Sequence, residues 1–196
     1  MNVGFYNANK KSLIQQYDSV DFESVHKEWL DYIPEEGTVL DIGAGSGRDS
    51  RYLSKLGLKV FAAEPALSLM LSASENSGGH DIIWFQDELP ALSKAKAVGT
   101  KFDLILLSAV WMHLSPEQRI LSMQSMSSLL NDGGKLVITL RHGEFTDGRS
   151  AFPLSPEEVI NLAKGNGLRA LLTTDMNNDQ LGRGEVVWQT VLLGRN

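Results

Sequence analysis

The stretch VLDIGAGSGRDS, residues 39–50, is the most informative part of the sequence. In it an apolar run ends in Asp41 and is followed by three alternating glycines, Gly43, Gly45 and Gly47. Because glycine has no Cβ, the backbone turns sharply at such positions and a ligand approaches it closely. In a sheet of parallel strands, ligands bind at the carboxyl ends, beside the turn after the first strand. The pattern therefore predicts a buried strand that runs into a ligand-binding turn.

Short apolar runs alternate with helical segments after residue 37: TVLDI, KVFAAE, DIIWFQ, FDLILLSAV and KLVITL. They are apolar throughout, which is typical of parallel strands covered by helices on both faces. Ser115-Pro116 and Ser155-Pro156 each place a capping serine before a proline, which predicts the start of a helix. Two further runs, LRALLTT and EVVWQTVLLG, are joined without a helix and are expected to pair as a hairpin. We predict an α/β fold with a doubly wound sheet of seven strands, mostly parallel, ending in a C-terminal antiparallel β-hairpin, with helices on both faces.

Length and composition favour a single domain. The 196 residues, 42% of them apolar, are enough for one full core. Apolar residues at helical spacing in KKSLIQQYDS and FESVHKEWLDYI predict two N-terminal helices that stop at Pro34. We expect residues 1–36 to form an N-terminal helical cap on a seven-strand core of residues 37–196.

Charge and composition also disfavour several kinds of partner. The net charge is −6 and the basic residues are scattered, which argues against nucleic acid. The sequence has no cysteine, which fits a reducing compartment and excludes thiolate metal sites. No two of its four histidines have the spacing of a metal-binding pair, so no metal site is expected.

The longest apolar stretch, LILLSAVWM, is far shorter than the roughly 20 residues that span a membrane. The N-terminus has no signal-peptide pattern, so we expect a cytoplasmic protein without a membrane partner.

Several glycine motifs compete for the turn. The dinucleotide fingerprint G-x-G-x-x-G would place Arg48 where a small residue is needed for close packing of helix on strand. The phosphate-loop motif is absent, and Ser46 lacks the flanking glycines of a nucleophile elbow. An NAD-dependent oxidoreductase stays an alternative, because Glu64 is also suited to hydrogen-bonding an NAD ribose.

The pattern D-x-G-x-G-x-G at 41–47, with VFAAEPA, WFQDELPAL and FDLILLSAVWMHL, resembles the class I S-adenosylmethionine-dependent methyltransferases. The resemblance extends from VLDIGAGSG to VVWQTVLL, and the stretches LLSAVWMHL and LRHG resemble a bacterial subgroup of that family. It implies a Rossmann-like fold and S-adenosyl-L-methionine as the cofactor. This donor carries an amino group, a ribose diol and an adenine but no phosphate, so its pocket requires carboxylates more than a phosphate cradle.

The resemblance also implies roles for individual residues. Asp41 would orient the loop and the methionine ammonium, Glu64 would accept both ribose hydroxyls, and Asp87 would accept the adenine amine. The implied cofactor-binding residues are Asp41, Gly43, Ala44, Gly45, Gly47, Glu64, Pro65, Asp87, Glu88, Leu89, Ser108, Ala109 and Val110.

Candidates for the transfer chemistry lie in the loops after the fourth and fifth predicted strands. Methyl transfer is accelerated by alignment in a dry pocket, so a catalytic residue is optional. If the acceptor is a protonated oxygen or nitrogen, His113 is the candidate base, with a capping or packing role as the alternative. Trp111, Arg141 and His142 are candidates for contact with the acceptor, and Arg141 suits an acidic or phosphorylated one. A core position for Trp111, or a solvated loop position for the other two, is the alternative.

We therefore expect an S-adenosylmethionine-dependent methyltransferase that acts on an unidentified small-molecule acceptor. A non-catalytic S-adenosylmethionine-binding module and the NAD-dependent oxidoreductase are the alternatives. In the family, additional N-terminal helices often close over the donor and shape the acceptor pocket. A purely structural cap and a homodimer contact are left open for this chain.

Overall fold

The computed structural model of the chain describes residues 2–195. The strands in chain order are β1 (Thr38–Ile42), β2 (Lys59–Ala63), β3 (Ile82–Phe85), β4 (Phe102–Leu107), β5 (Leu130–His142), β6 (Leu168–Thr173), β7 (Asn177–Asn178) and β8 (Val187–Arg195). They form one sheet in the order β3-β2-β1-β4-β5-β8-β6, and β7 pairs with β8. The first five strands are parallel, and β8 runs antiparallel to its neighbours β5 and β6. The predicted Rossmann-like α/β class and the C-terminal hairpin are confirmed.

Helices cover both faces of the sheet. They are α1 (Val3–Ala8), α2 (Lys10–Tyr17), α3 (Phe22–His26), α4 (Arg48–Lys55), α5 (Leu67–Asn76), α6 (Ser93–Ala97), α7 (Pro116–Leu129) and α8 (Pro156–Gly165). The short α6 was not predicted. At the start of α7, the Ser115 side chain accepts from the Gln118 backbone and the Gln118 side chain accepts from the Ser115 backbone, as the capping pattern predicts. Within residues 2–195, no helix combines the length and the apolar character that crossing a membrane requires.

Consecutive residues of the central strands pack on opposite faces of the sheet. Val39 belongs to a core cluster with Trp29 and Leu53, whereas Leu40 belongs to a cluster with Met123 on the other side. Because both faces are buried, no position along these strands needs to be polar, and the sequence reads as a continuous apolar run. Met123 is fully buried and fills the core between α7 and the sheet.

Two details of the sheet differ from the prediction. The short β7 lies in the connection that was predicted to be irregular, where Asn177 pairs with Trp188 and Asn178 pairs with Val187, so the sheet has eight strands instead of seven. The fifth strand begins at Leu130, before the Asn-Asp-Gly-Gly segment that was predicted to separate helix from strand. That segment remains in the strand as an irregularity, with the pairing register shifted between Phe102 and Leu104 of β4.

The topology places a crevice beside the glycine turn. From β1 the chain builds outward through β2 and β3, then crosses to β4 on the other side of β1. Strand order therefore reverses between β1 and β4, and a crevice opens there at the carboxyl ends of the strands. The turn after β1 enters this crevice.

The N-terminal segment contains three helices and a 3-10 turn at Leu30–Tyr32 where two helices were predicted. It is fixed to the core by a buried polar chain: the Trp29 indole N–H donates to His26 Nδ1 (3.1 Å), and His26 Nε2 lies 3.0 Å from Asp49 Oδ2. Since Nδ1 accepts, the His26 proton is on Nε2 and is donated to Asp49. Although burial alone would raise it, the pKa of Asp49 is held below its usual range by Arg48 and His26.

Replacing Trp29 with phenylalanine should destabilise the protein by removing the donor to His26. The matched control is Trp84→Phe, because the Trp84 indole nitrogen is buried without a hydrogen-bond partner. We expect Trp29→Phe to lower the free energy of unfolding by about 1 kcal/mol more than Trp84→Phe. Urea denaturation measures this difference, and equal losses would show that the bond contributes nothing.

Candidate active site

The glycine turn after β1 leaves no room for side chains at its first position. Gly43 has φ +72°, and a Cβ there would collide with Cγ2 of Val110. Gly47 has φ +79° and precedes α4, and a Cβ there would lie 2.9 Å from the Trp84 ring. Gly47 does not line the cavity that lies over this turn, and its role as a cofactor contact stays a prediction. Its glycine is required by the left-handed backbone and the close packing at the helix start.

A cavity of about 200 Å³ lies over this turn at the carboxyl ends of the central strands. Twelve of the thirteen predicted cofactor-binding residues line it, all except Gly47. They are Asp41, Gly43, Ala44, Gly45, Glu64, Pro65, Asp87, Glu88, Leu89, Ser108, Ala109 and Val110. Of the four other candidates, His113 and Arg141 line it, and Trp111 and His142 do not.

Asp41 and Glu64 are buried carboxylates that line the cavity. Asp41 accepts a hydrogen bond from the Ser50 hydroxyl (2.6 Å). Glu64 accepts from the backbone N–H of Gly45 (3.0 Å) through Oε2 and of Ala66 (2.9 Å) through Oε1. Burial raises the pKa of Glu64 to about 7, and burial together with the charge of Asp49 raises the pKa of Asp41 above its usual range. Glu64 therefore changes charge near neutral pH.

Asp87 lies on the cavity wall, but its carboxylate also organises the chain beyond it. Oδ1 accepts from the backbone N–H of Glu88 (3.0 Å), and Oδ2 accepts from those of Lys94 and Ala95 (2.9 Å each). It thus satisfies backbone donors in the first turn of α6. Since a carboxylate has about four acceptor sites, Oδ1 is able to accept one further hydrogen bond from a ligand.

The N-terminal helices cover the cavity. The ring of Tyr17 lies over the glycine turn, 3.6 Å from the position of a Cβ on Gly45. Polar contacts hold the cover in place: Asp18 accepts from the Ser46 hydroxyl (2.7 Å) and pairs with Arg51 (3.0 Å). These N-terminal helices are additional to the minimal sheet fold, and they cover the site.

His113 lies at the centre of a chain of polar contacts between the cover and the loop after β5. The Tyr6 hydroxyl lies 2.9 Å from His113 Nε2 and accepts from Arg149 Nη1 (3.1 Å). The other ring nitrogen, Nδ1, lies 3.2 Å from the side-chain amide nitrogen of Asn2, which donates, and 3.3 Å from the Ser150 carbonyl, which accepts. The first contact fits a ring proton on Nε2, and the second fits a ring proton on Nδ1. Burial, aided by the charges of Arg149 and Arg141, lowers the pKa of His113 to about 4. The imidazole is therefore neutral at physiological pH.

Strand periodicity explains why Arg141 reaches the cavity and His142 does not. Arg141 pairs with Trp188 and Thr139 with Thr190 across β5 and β8, and all four line the cavity. Side chains at every second position share one face, so His142 projects to the opposite face of the sheet. His142 therefore does not line the cavity, and its contact with the acceptor stays a prediction.

Trp111, also predicted as an acceptor contact, is a core residue outside the cavity lining. Its side chain is fully buried in the core, and the guanidinium of Arg119 lies 5.7 Å from the centre of its ring. The 3-10 turn Trp111–His113 directs this indole inward while His113 meets the cavity. The alternative of a core position, considered for the sequence, is the one observed.

Several cavity residues were missed as site candidates. Arg149 and Phe145 follow β5, and the segment from Asn177 to Arg183 joins the last strands. Tyr6, in α1, is another cavity residue that no sequence motif indicates. The segments that contain these residues have no recognisable motif, and the residues come close to β1 only in the folded chain. The one usable signal is a cluster of aromatic and basic residues in a loop that follows a buried strand.

Comparison with known proteins identifies the family. The profile described as methyltransferase domain matches residues 14–173. An uncharacterized methyltransferase of Bacillus cereus is 26% identical over 161 residues, which are 82% of this chain and 67% of that protein. One from Staphylococcus carnosus is 32% identical over 110 residues, 53% of this chain. The chain thus spans only 46% of the length of the Staphylococcus relative.

The fold is also that of solved methyltransferases. The magnesium protoporphyrin IX methyltransferase from Synechocystis PCC 6803, crystallised with SAH, superposes with a TM-score of 0.70 at 15% identity. The superposition covers 94% of this chain and 84% of that protein. At such low identity the likeness concerns the fold alone. With the profile match over most of its length, from the N-terminal helices to the end of β6, the chain belongs to the methyltransferase-domain family.

Proposed function

We propose that the chain transfers a methyl group from S-adenosylmethionine to a small-molecule acceptor bound beside Tyr6 and His113. The observation that carries the proposal is the buried Glu64 carboxylate, which lines the cavity and accepts a hydrogen bond from the glycine turn. A carboxylate in that place suits a ribose diol and repels a phosphate. Family membership supports the same reaction.

The residues present fit the donor. Gly43 brings bare backbone to the cavity where a Cβ would collide with Val110, as close approach of a ligand requires. Glu64 uses one acceptor site of each oxygen for backbone N–H groups, which leaves further sites for two hydroxyls. In this proposal Asp41 orients the turn and faces the methionine ammonium, Asp87 faces the adenine amine, and Ser108 to Val110 border the methionine part.

When bound, S-adenosylmethionine supplies an electrophilic methyl group on a sulfonium centre. The chain's own residues exclude water and manage the acceptor's proton. The cover of N-terminal helices closes the cavity above Gly45, so acceptor and donor meet in a dry space. Alignment in such a space supplies much of the acceleration of an in-line displacement.

The contact chain at His113 provides a route for the acceptor's proton. With the neutral ring protonated on Nδ1, the acceptor's proton passes to the Tyr6 oxygen while the Tyr6 proton passes to His113 Nε2, along the 2.9 Å contact. Arg149 donates to the same Tyr6 oxygen and stabilises negative charge that develops on it. Tyr6 is then the group that touches the acceptor, and His113 acts through it. The low pKa keeps His113 free to accept at neutral pH.

Donor binding should depend on Glu64 and on pH. Replacing Glu64 with alanine removes both acceptor oxygens, so the affinity for S-adenosylhomocysteine, measured by calorimetry, should fall at least about tenfold. The matched control is Glu75→Ala on the exposed side of α5, which should bind like the wild type. An unchanged affinity in Glu64→Ala would remove Glu64 from the site.

The raised pKa of Glu64 sets the direction of the pH dependence. The carboxylate is ionised above about pH 7 and is protonated as the pH falls through that value. Ionised Glu64 accepts the ribose hydroxyls more strongly, so S-adenosylhomocysteine should bind about tenfold more weakly at about pH 6 than at about pH 8. In Glu64→Gln this dependence should be smaller, with Asp41 responsible for what remains. An equal pH dependence in both proteins would contradict the assignment.

Labelled methyl groups should appear in small molecules. The protein is incubated with methyl-labelled S-adenosylmethionine and a cell extract, which is then divided into low-mass, protein and nucleic-acid fractions. We expect the label in the low-mass fraction. Binding of the donor without label in any fraction would favour the non-catalytic module, and label in the protein or nucleic-acid fraction would refute the small-molecule acceptor.

Tyr6 and His113 should act as one unit in turnover. With the low-mass fraction as the source of acceptor, Tyr6→Phe and His113→Gln should each lower kcat about 100-fold at saturating donor and leave the S-adenosylhomocysteine affinity unchanged. The double variant should be no slower than either single variant. The control is Tyr52→Phe, because Tyr52 lies outside the cavity.

Because His113 is neutral down to about pH 4, kcat should not fall near the ordinary histidine pKa. Additive losses, or a fall near that pKa, would exclude the relay.

A further inference from the structure

Arg141 is a buried cation without a counter-ion. Its side chain is 6% exposed, and two of its nitrogens donate to the backbone carbonyls of Gly143 (2.5 Å) and Glu144 (3.2 Å). Its third nitrogen, Nε, is buried without a hydrogen-bond partner. No carboxylate among residues 2–195 lies within ion-pair distance of it. Burying a charge in this way is costly unless a ligand or partner compensates it.

Two more arginines stand beside it, and each has its own carboxylate. Arg149 pairs with Asp147 and Arg183 with Asp179, both at 2.6 Å. Burial lowers the pKa of Arg141, and the positive charges of Arg183 and Arg149 lower it further. The three guanidinium groups therefore repel one another. Two carboxylates among three guanidinium groups leave one positive charge, on Arg141, facing the cavity.

Aromatic rings frame this charge. The Arg141 guanidinium lies 4.1 Å from the centre of the Phe145 ring, and the Arg149 guanidinium lies at the same distance from it. Trp188 is the cross-strand partner of Arg141, and its indole N–H donates to Asp179 (2.8 Å). The guanidinium is thus held on a planar, apolar surface and is not free to turn away from the cavity.

Arg141 is distant from the glycine turn. In the register of the sheet, Asp41 of β1 pairs with Leu106 of β4, and Leu106 pairs with Val137 of β5. Arg141 lies beyond Val137 by about 13 Å along the strand, and β5 is about 10 Å from β1 across the sheet. This places the charge in the part of the cavity that contains Tyr6 and His113, away from the part that contains Glu64.

We propose that Arg141, with Arg149 and Arg183 beside it, is the subsite for an anionic group of the methyl acceptor, a carboxylate or phosphate on a molecule with a planar apolar part. The anion would complete the hydrogen bonds of a guanidinium that offers its planar fork to oxygens. The inference rests on the proposed function and adds the acceptor's chemical class. The same charge chemistry would suit the donor's own carboxylate, and the experiment separates the two.

The probe is benzoate, which has a carboxylate on a planar ring, and benzamide is its uncharged counterpart. Binding to the full-length protein is measured by NMR titration, with and without S-adenosylhomocysteine. Benzoate should bind at least about tenfold more tightly than benzamide. Equal binding of the two, or no binding of benzoate, overturns the proposal even in a protein that binds S-adenosylhomocysteine. Failure to bind S-adenosylhomocysteine would instead count against the proposed function, while the benzoate titration without it still tests the subsite.

Variants locate the charge. Arg141→Met should weaken benzoate at least about tenfold, Arg141→Lys should restore part of the affinity, and Arg169→Met, at an exposed arginine of β6, should change nothing. Should Arg141→Met fail to fold, the comparison of Arg141→Lys with the wild type still decides, because equal benzoate affinity would refute the role of the guanidinium fork. Affinities for S-adenosylhomocysteine and for methylthioadenosine, which lacks the amino-acid carboxylate, complete the test. If Arg141→Met weakens the binding of S-adenosylhomocysteine but not that of methylthioadenosine, Arg141 binds the donor's carboxylate and the proposal is overturned.

Discussion

The Glu64 carboxylate is the interaction on which the site depends. It joins two turns that come from different strands, because one oxygen accepts from Gly45 after β1 and the other from Ala66 after β2. The backbone amides that it binds would otherwise be unsatisfied in a buried place. The same atoms thus fix the shape of the turn and present negative charge to the cavity. Its raised pKa records the cost of that position, since the ionised group has been removed from water.

The fold was predictable because its main signals are local. Continuous apolar runs, serine caps and the glycine turn each act over a few residues, and together they determine the parallel sheet. The proposed donor half of the site follows from them, since Asp41, Glu64 and Asp87 lie where strands end. Gly47 lies outside the cavity lining because its glycine serves the packing of the helix start against Trp84. The division into an N-terminal cap and a core, and the role of each cavity residue, stay predictions.

The proposed acceptor half of the site could be predicted only in part. Arg141 and His142 are adjacent in the chain, and only the pairing with β8 decides that one faces the cavity and the other does not. Trp111 and His113 differ in the same way, across a single 3-10 turn. Tyr6 joins His113 from a distance of more than a hundred residues along the chain. Such contacts depend on how helices and loops pack, which leaves no motif in the sequence.

The N-terminal helices border two parts of the cavity. Above the turn, they are held by polar contacts such as Asp18 with Ser46 and Arg51. Elsewhere, Arg141, Arg149, Arg183 and Phe145 also line a second cleft at the surface, and so do Phe5, Leu13 and Gln16 of the same helices. A displacement of these helices would therefore alter the cleft and the region above the turn together.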